Sequence, residues 1–122
     1  MGSIREMDQA VIQLASELQA NAPFTNWQRQ RLTAAYTPEA SVGAHEYAYW
    51  LKDGTLNRSD SPNASARVRI RELTATLWRL SQDSGQAPWF KMNLDLDAGG
   101  KYAVHFEYRD NYQEGDIMKS LD

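Results

Sequence analysis

The first twenty residues carry one stripe of apolar side chains. Its members recur in steps of three and four residues: Ile4, Met7, Val11, Leu14 and Leu18. This spacing predicts an amphipathic α-helix with one buried side. Ser3 and Glu6 have the spacing of a capping box, and Asn21 and Pro23 predict that the helix ends near Ala20.

Two β-strands are predicted next, at residues 28–36 and 41–51, with a hairpin connection near residues 38–39. In the second strand, Tyr47 and Tyr49 alternate with Ala48 and Trp50. Aromatic rings therefore occupy both faces of this strand. Because a one-sided core covers only one face, we expect at least one of these rings at the surface as a contact. A turn at residues 52–54 and a short third strand at residues 55–58 follow.

Two patterns compete in the middle of the chain. Residues 67–71 alternate as in a strand, whereas a longer stripe with helical spacing is formed by Ala66, Ile70, Leu73, Leu77 and Leu80. The helical stripe is longer than a usual strand, so we predict a second helix. Ser61 and Pro62 supply its start, and Ser84 and Gly85 supply its end.

The strongest β signal covers residues 90–108. Apolar and aromatic residues alternate with polar ones on both sides of a short break: Phe90, Met92, Leu94, Leu96, Tyr102, Val104, Phe106 and Tyr108. The break at residues 97–100 reads Asp-Ala-Gly-Gly, which supplies a tight turn. We predict a hairpin with one buried face, followed by a short terminal helix or strand that contains Ile117, Met118 and Leu121.

The order helix, strands, helix, hairpin favours an α+β fold over alternating βαβ units. We predict a mainly antiparallel sheet with two helices packed on one face. A length of 122 residues suits one hydrophobic core. Residues 1–122 are therefore predicted to form a single domain.

The amino-acid composition indicates the compartment in which the protein works. Cysteine is absent, which excludes a disulfide framework, a thiolate metal site and a cysteine nucleophile. The first twenty residues mix charged with apolar positions and lack a secretory signal, and no stretch is long enough for a membrane helix. We expect a cytoplasmic protein that does not bind membranes.

Charge is distributed unevenly along the chain. The net charge is -3, but from Asp95 onward there are seven acidic residues and three basic ones. This acidic end suits a basic protein partner, and an ordinary solvated surface is the alternative interpretation. Acidic residues also interrupt the arginines of the second predicted helix, so we expect no direct binding of nucleic acid.

No catalytic motif, cofactor site or phosphate-binding loop is recognisable, so we expect a protein that is not an enzyme. The only two histidines are His45 and His105. If their strands were neighbours, these histidines and Glu107 would form a metal site. The alternative function is therefore a small-molecule- or metal-binding enzyme with a pocket between sheet and helix, lined by these residues and Tyr47. A structural subunit with a large apolar surface is a third possibility.

Three short motifs carry a family resemblance: GQAPWFKMNL at residues 85–94, GGKY at residues 99–102 and FEY at residues 106–108. Together with the order of the elements, they resemble the YezG-like family of immunity proteins. The close match covers residues 85–112. Two features depart from the family pattern: arginines at positions 67, 69 and 71 in a helix that is often acidic, and the sequence RDNY at residues 109–112 in place of a more acidic tail.

The resemblance implies stoichiometric neutralisation of a cognate toxin, commonly a nuclease of a bacterial polymorphic toxin system. A nuclease binds phosphates in a basic cleft, so carboxylates near the acidic end are the expected contacts, with tyrosines as anchors. The expected interface residues are Asp95, Asp97, Glu107, Tyr108, Asp110, Tyr112, Glu114 and Asp116. The identity of the toxin, the position of the inhibitor relative to the toxin active site and the oligomeric state stay open.

Overall fold

The computed structural model describes residues 4–36, 44–83, 89–108 and 117–120. The elements are, in chain order, α1 (Ile4–Ala20), β1 (Trp27–Ala35), β2 (Ala44–Leu51), β3 (Leu56–Asn57), α2 (Ala64–Asp83), β4 (Trp89–Asp97), β5 (Tyr102–Tyr108) and β6 (Ile117–Ser120). The predicted α+β class is confirmed.

The described strands form one six-stranded sheet in the order β3-β2-β1-β4-β5-β6. Every neighbouring pair is antiparallel. Strand β1 lies at the centre, between β2 and β4. The sheet is therefore built from two meanders, β1-β2-β3 and β4-β5-β6, that meet along the β1–β4 pair.

Both helices pack against the same face of this sheet. Near the end of α1, the buried amide of Gln30 in β1 donates from Nε2 to the carbonyl oxygen of Leu18 at 3.2 Å. On α2, Trp78 Nε1 donates to the carbonyl oxygen of Trp89 in β4 at 2.9 Å. Burying one large apolar side chain contributes roughly 1.5–3 kcal/mol, so the shared core stabilises this layered arrangement. The largest fully buried apolar side chains are Leu14, Leu18, Leu32, Tyr49, Ile70, Leu77, Trp89, Met92, Leu94 and Leu96.

Helix α1 ends at Ala20, as predicted, and Asn21 donates from Nδ2 to the Glu17 carbonyl oxygen at 2.9 Å. Helix α2 begins at Ala64, where Asn63 Oδ1 accepts a hydrogen bond from the Ala66 amide at 2.9 Å. The N-cap is therefore Asn63 and not the preceding Ser-Pro pair, because an asparagine carbonyl can reach the free N–H groups of the first turn.

The β4–β5 hairpin has the turn that its sequence predicts. Asp97 Oδ1 accepts hydrogen bonds from the amides of Gly99 and Lys101 at 2.9 and 3.0 Å. Gly100 has φ +94°, a conformation that favours glycine because it lacks a Cβ. The short third strand is confirmed as β3, and the terminal element, for which the sequence left helix and strand open, is strand β6. Some predicted features lie outside the described residues: Ser3 of the capping box, the hairpin connection at residues 38–39, the helix end signal at residues 84–85 and Leu121.

Candidate functional site

Half of the expected interface residues lie outside the described ranges: Asp110, Tyr112, Glu114 and Asp116. The other half lie on the β4–β5 hairpin. The sheet has one face covered by α1 and α2, and the opposite face is called the open face here. Arg29, Arg31, Glu46, Trp50, Asp95 and Glu107 occupy the open face by strand alternation and register.

Asp95 is engaged by a neighbouring strand. Arg31 lies directly opposite it in β1 and forms a two-pronged contact, with Nε 2.7 Å from Oδ1 and Nη2 3.3 Å from Oδ2. The two side chains are 43% and 33% exposed. Asp97 holds the hairpin turn through its Oδ1 atom. Both carboxylates therefore have structural partners before any protein binds.

Glu107 and Tyr108 lie on opposite sides of the sheet because successive side chains of a strand alternate. Glu107 is opposite Lys91 on the open face. Tyr108 packs against the hydrophobic core on the helix side, and burial raises its pKa. One flat partner surface cannot contact both of these side chains through the middle of the sheet.

The open face carries an aromatic and cationic cluster that the sequence reasoning missed. The guanidinium of Arg29 lies 4.1 Å from the centroid of the Trp50 ring, and that of Arg31 lies 5.9 Å from it. Cation–π attraction of this kind holds the half-buried ring against the arginines. The sequence did contain a signal for this cluster, because Arg29 and Arg31 alternate with Gln30 and Leu32 in β1 and therefore share one face of the strand. The expected surface aromatic in β2 is Trp50.

A cleft of about 500 Å³ opens along the outer edge of β2. Its walls include Glu46, Tyr47 and Ala48 of β2 on one side and the loop at residues 58–61 on the other. This loop leaves the sheet because Asn57 Oδ1 accepts hydrogen bonds from the amides of Ser59 and Asp60 at 3.1 and 3.0 Å. Asparagine side chains favour such turns, so β3 ends after two residues.

A largely buried polar chain connects Tyr36, directly after β1, with α2 and β2. The hydroxyl of Thr74 is 2.9 Å from Tyr36 Oη, 2.8 Å from His45 Nε2 and 3.0 Å from the Arg71 carbonyl oxygen. A carbonyl oxygen only accepts, so the single Thr74 proton goes to Arg71. Tyr36 and His45 must then both donate to Thr74, which places a proton on Nε2 of His45. Burial raises the pKa of Tyr36, and the positive charges of Arg79 and Arg71 oppose that shift.

The two histidines do not converge on one site. His45 is in β2 and contacts α2, whereas His105 is in β5 and is opposite Asn93 on the open face. Strands β1 and β4 separate them. Within the described ranges, no group of three histidine, aspartate or glutamate side chains is placed to hold a metal ion. The residues expected to line the alternative pocket are thus divided between opposite faces of the sheet. Neither described helix is long and apolar enough to cross a lipid bilayer.

These features define an α+β domain with helices on one face of the sheet and charged and aromatic side chains on the other. The model of the family described as "Immunity protein YezG-like" matches residues 13–120. The chain therefore belongs to the YezG-like family of immunity proteins, and the resemblance drawn from its sequence motifs is confirmed. Membership in this family indicates toxin immunity, with a toxin as the partner. No curated protein matches the chain.

Proposed function

We propose that this protein neutralises a cognate bacterial toxin, most simply a nuclease of a polymorphic toxin system, by forming a stoichiometric complex in the cytoplasm. The observation that carries the proposal is the family match over residues 13–120. The uneven charge supports the choice of a nuclease, because a phosphate-binding cleft is basic and the end of this chain is acidic.

The proposed contact surface is the acidic end of the chain, with Glu107, Asp110, Glu114 and Asp116 as its carboxylates and Tyr108 and Tyr112 as its aromatic anchors. Asp95 and Asp97 belong to the same surface. Their carboxylates already hold Arg31 and the hairpin turn, so they contribute mainly to its shape. Complementary charge raises the association rate and selects the partner.

The test begins with co-expression of the protein and its cognate toxin. We expect rescue of growth and a one-to-one complex by size-exclusion chromatography with light scattering. A charge-removal variant then combines Glu107→Gln, Asp110→Asn, Glu114→Gln and Asp116→Asn. We expect its association rate to fall about tenfold at low salt, with a weaker dependence on ionic strength than the parent.

A control variant removes three charges from the helices, away from the acidic end, through Glu6→Gln, Asp8→Asn and Glu72→Gln. This control is expected to bind at nearly the parent rate. Failure of the unaltered protein to bind or rescue would refute toxin neutralisation itself. Equal binding by the charge-removal variant and the control would refute the acidic surface and leave the immunity function in place.

A further inference from the structure

Among the residues that the structure describes, only part of the outer edge of β2 has a strand partner. The Leu51 amide donates to the Thr55 carbonyl oxygen at 2.9 Å, which shows that Leu51 directs its backbone groups toward the β3 side. Backbone N–H and C=O groups point alternately to the two neighbouring strands along an antiparallel strand. The backbone groups of Tyr49 and Tyr47 therefore point to the β3 side, like those of Leu51, and the backbone groups of Trp50 and Ala48 point to β1.

Strand β3 pairs only with Tyr49 and Trp50. The next outward-facing residue is Tyr47, and the Asn57 turn carries the chain away before another residue can pair with it. Among the described residues, the Tyr47 amide and carbonyl have no strand partner. An uncovered strand edge is a ready template for another chain.

The cleft lies where the missing continuation of β3 would run. Its lining is mostly polar and includes Arg31, Arg58, Ser59, Asp60 and Ser61. Small-molecule pockets are mostly apolar, so this lining fits a main chain with polar side chains better than a drug-like ligand. Arg58 and Glu46 are both exposed and form no ion pair with another described residue. They offer one cation and one anion to side chains of an incoming segment.

We propose that an extended segment of the cognate toxin adds to the sheet at Tyr47, as a strand in line with β3 inside this cleft. This inference rests on the proposed function, because that function supplies a protein partner. In such strand addition, backbone hydrogen bonds supply affinity and the flanking side chains supply specificity. The binding surface then extends to the side of the sheet remote from the acidic hairpin end.

The first experiment is amide hydrogen exchange by NMR on the full chain, free and in complex with the toxin. The Tyr47 amide is expected to exchange rapidly in the free protein and to become protected in the complex. The Ala48 amide faces β1 and is expected to be protected in both states. A Tyr47 amide that is already protected in the free protein would overturn the proposal, because the chain itself or a second copy would then cover the edge.

The second experiment replaces the backbone N–H of Tyr47 with an ester oxygen and keeps the tyrosine side chain. Loss of one backbone hydrogen bond predicts a toxin affinity about tenfold lower, with the denaturation midpoint unchanged. The same replacement at Ala48 removes a donor that faces β1. It is expected to lower the midpoint and leave toxin affinity nearly unchanged at a temperature where the variant is folded.

The outcomes separate the two proposals. If the unaltered protein does not bind the toxin, the proposed function fails. If it binds and neutralises the toxin, but the Tyr47 amide stays unprotected and the Tyr47 ester binds with parent affinity, strand addition alone is refuted.

Discussion

Substitution of Thr74 by valine tests the polar chain that joins Tyr36, α2 and β2. Threonine and valine have nearly the same shape, so Thr74→Val creates no cavity but removes the hydroxyl that Tyr36 and His45 contact at 2.9 and 2.8 Å. Each buried donor left without an acceptor costs about 1–3 kcal/mol. Tyr36 is buried, whereas His45 is only half-buried and recovers part of its loss from water. We expect the free energy of unfolding to fall by about 2–4 kcal/mol.

Thr76→Val is the matched control on the same helix. The Thr76 hydroxyl donates to the Glu72 carbonyl oxygen at 2.9 Å in an exposed setting, so its loss is expected to cost less than about 0.5 kcal/mol. Urea denaturation measures both variants, with equal m-values as the check on two-state behaviour. Thr74→Ser keeps the hydroxyl and should restore most of the loss. If Thr74→Val and Thr76→Val unfold at the same urea concentration, the polar chain does not stabilise the fold.

Three further outcomes follow from two side chains, Tyr49 and Asp95. The Tyr49 hydroxyl is buried and has no hydrogen-bond partner among the described residues, so Tyr49→Phe is expected to raise the free energy of unfolding by up to about 1 kcal/mol in denaturant titrations. Burial also raises the pKa of Tyr49 above the ordinary value of 10.0. As the pH rises above 10, the Tyr49 hydroxyl ionises in the unfolded chain before it does so in the folded one. The free energy of unfolding is therefore unaffected by this group below pH 10 and falls by about 1.4 kcal/mol per pH unit as the pH rises toward the folded pKa. Tyr49→Phe should flatten this alkaline slope, and an unchanged slope would contradict the role of Tyr49. Asp95→Asn breaks a pair whose side chains are 43% and 33% exposed and is expected to cost less than about 1 kcal/mol by the same titration, whereas a loss above 2 kcal/mol would show that the pair is not surface-like.

Local periodicity was sufficient for the elements with strong patterns. The stripe from Ile4 to Leu18 predicted α1, and the alternation on both sides of Asp97 predicted the β4–β5 hairpin. In both cases one side of a regular element is buried, and the spacing of apolar residues along the sequence shows which side that is. The same alternation already implied that Glu107 and Tyr108 face opposite sides, although the expected interface combined them.

The arrangement of the strands was not available from local patterns. Arg31 and Asp95 are 64 positions apart, and their contact follows from the placement of β4 beside β1. A turn made by one side chain, that of Asn57, decides where β3 ends, so the described part of the chain provides no strand partner for the β2 edge beyond that point. Such features depend on which strands become neighbours, and a single sequence contains no periodic signal for that choice.

The division of the sheet into two meanders has a consequence for synthesis. The β1–β4 pair joins residues such as Thr33 and Asn93, which are 60 positions apart. A ribosome adding roughly 5–20 residues per second takes about 3–12 s to cover that distance. Until β4 has left the exit tunnel, β1 can pair with β2 but has no strand partner on its other side. The ion pair between Asp95 and Arg31 also cannot form before that point. Immunity therefore lags behind translation of the first meander, and a nascent chain gains its protective form only when the second meander is complete.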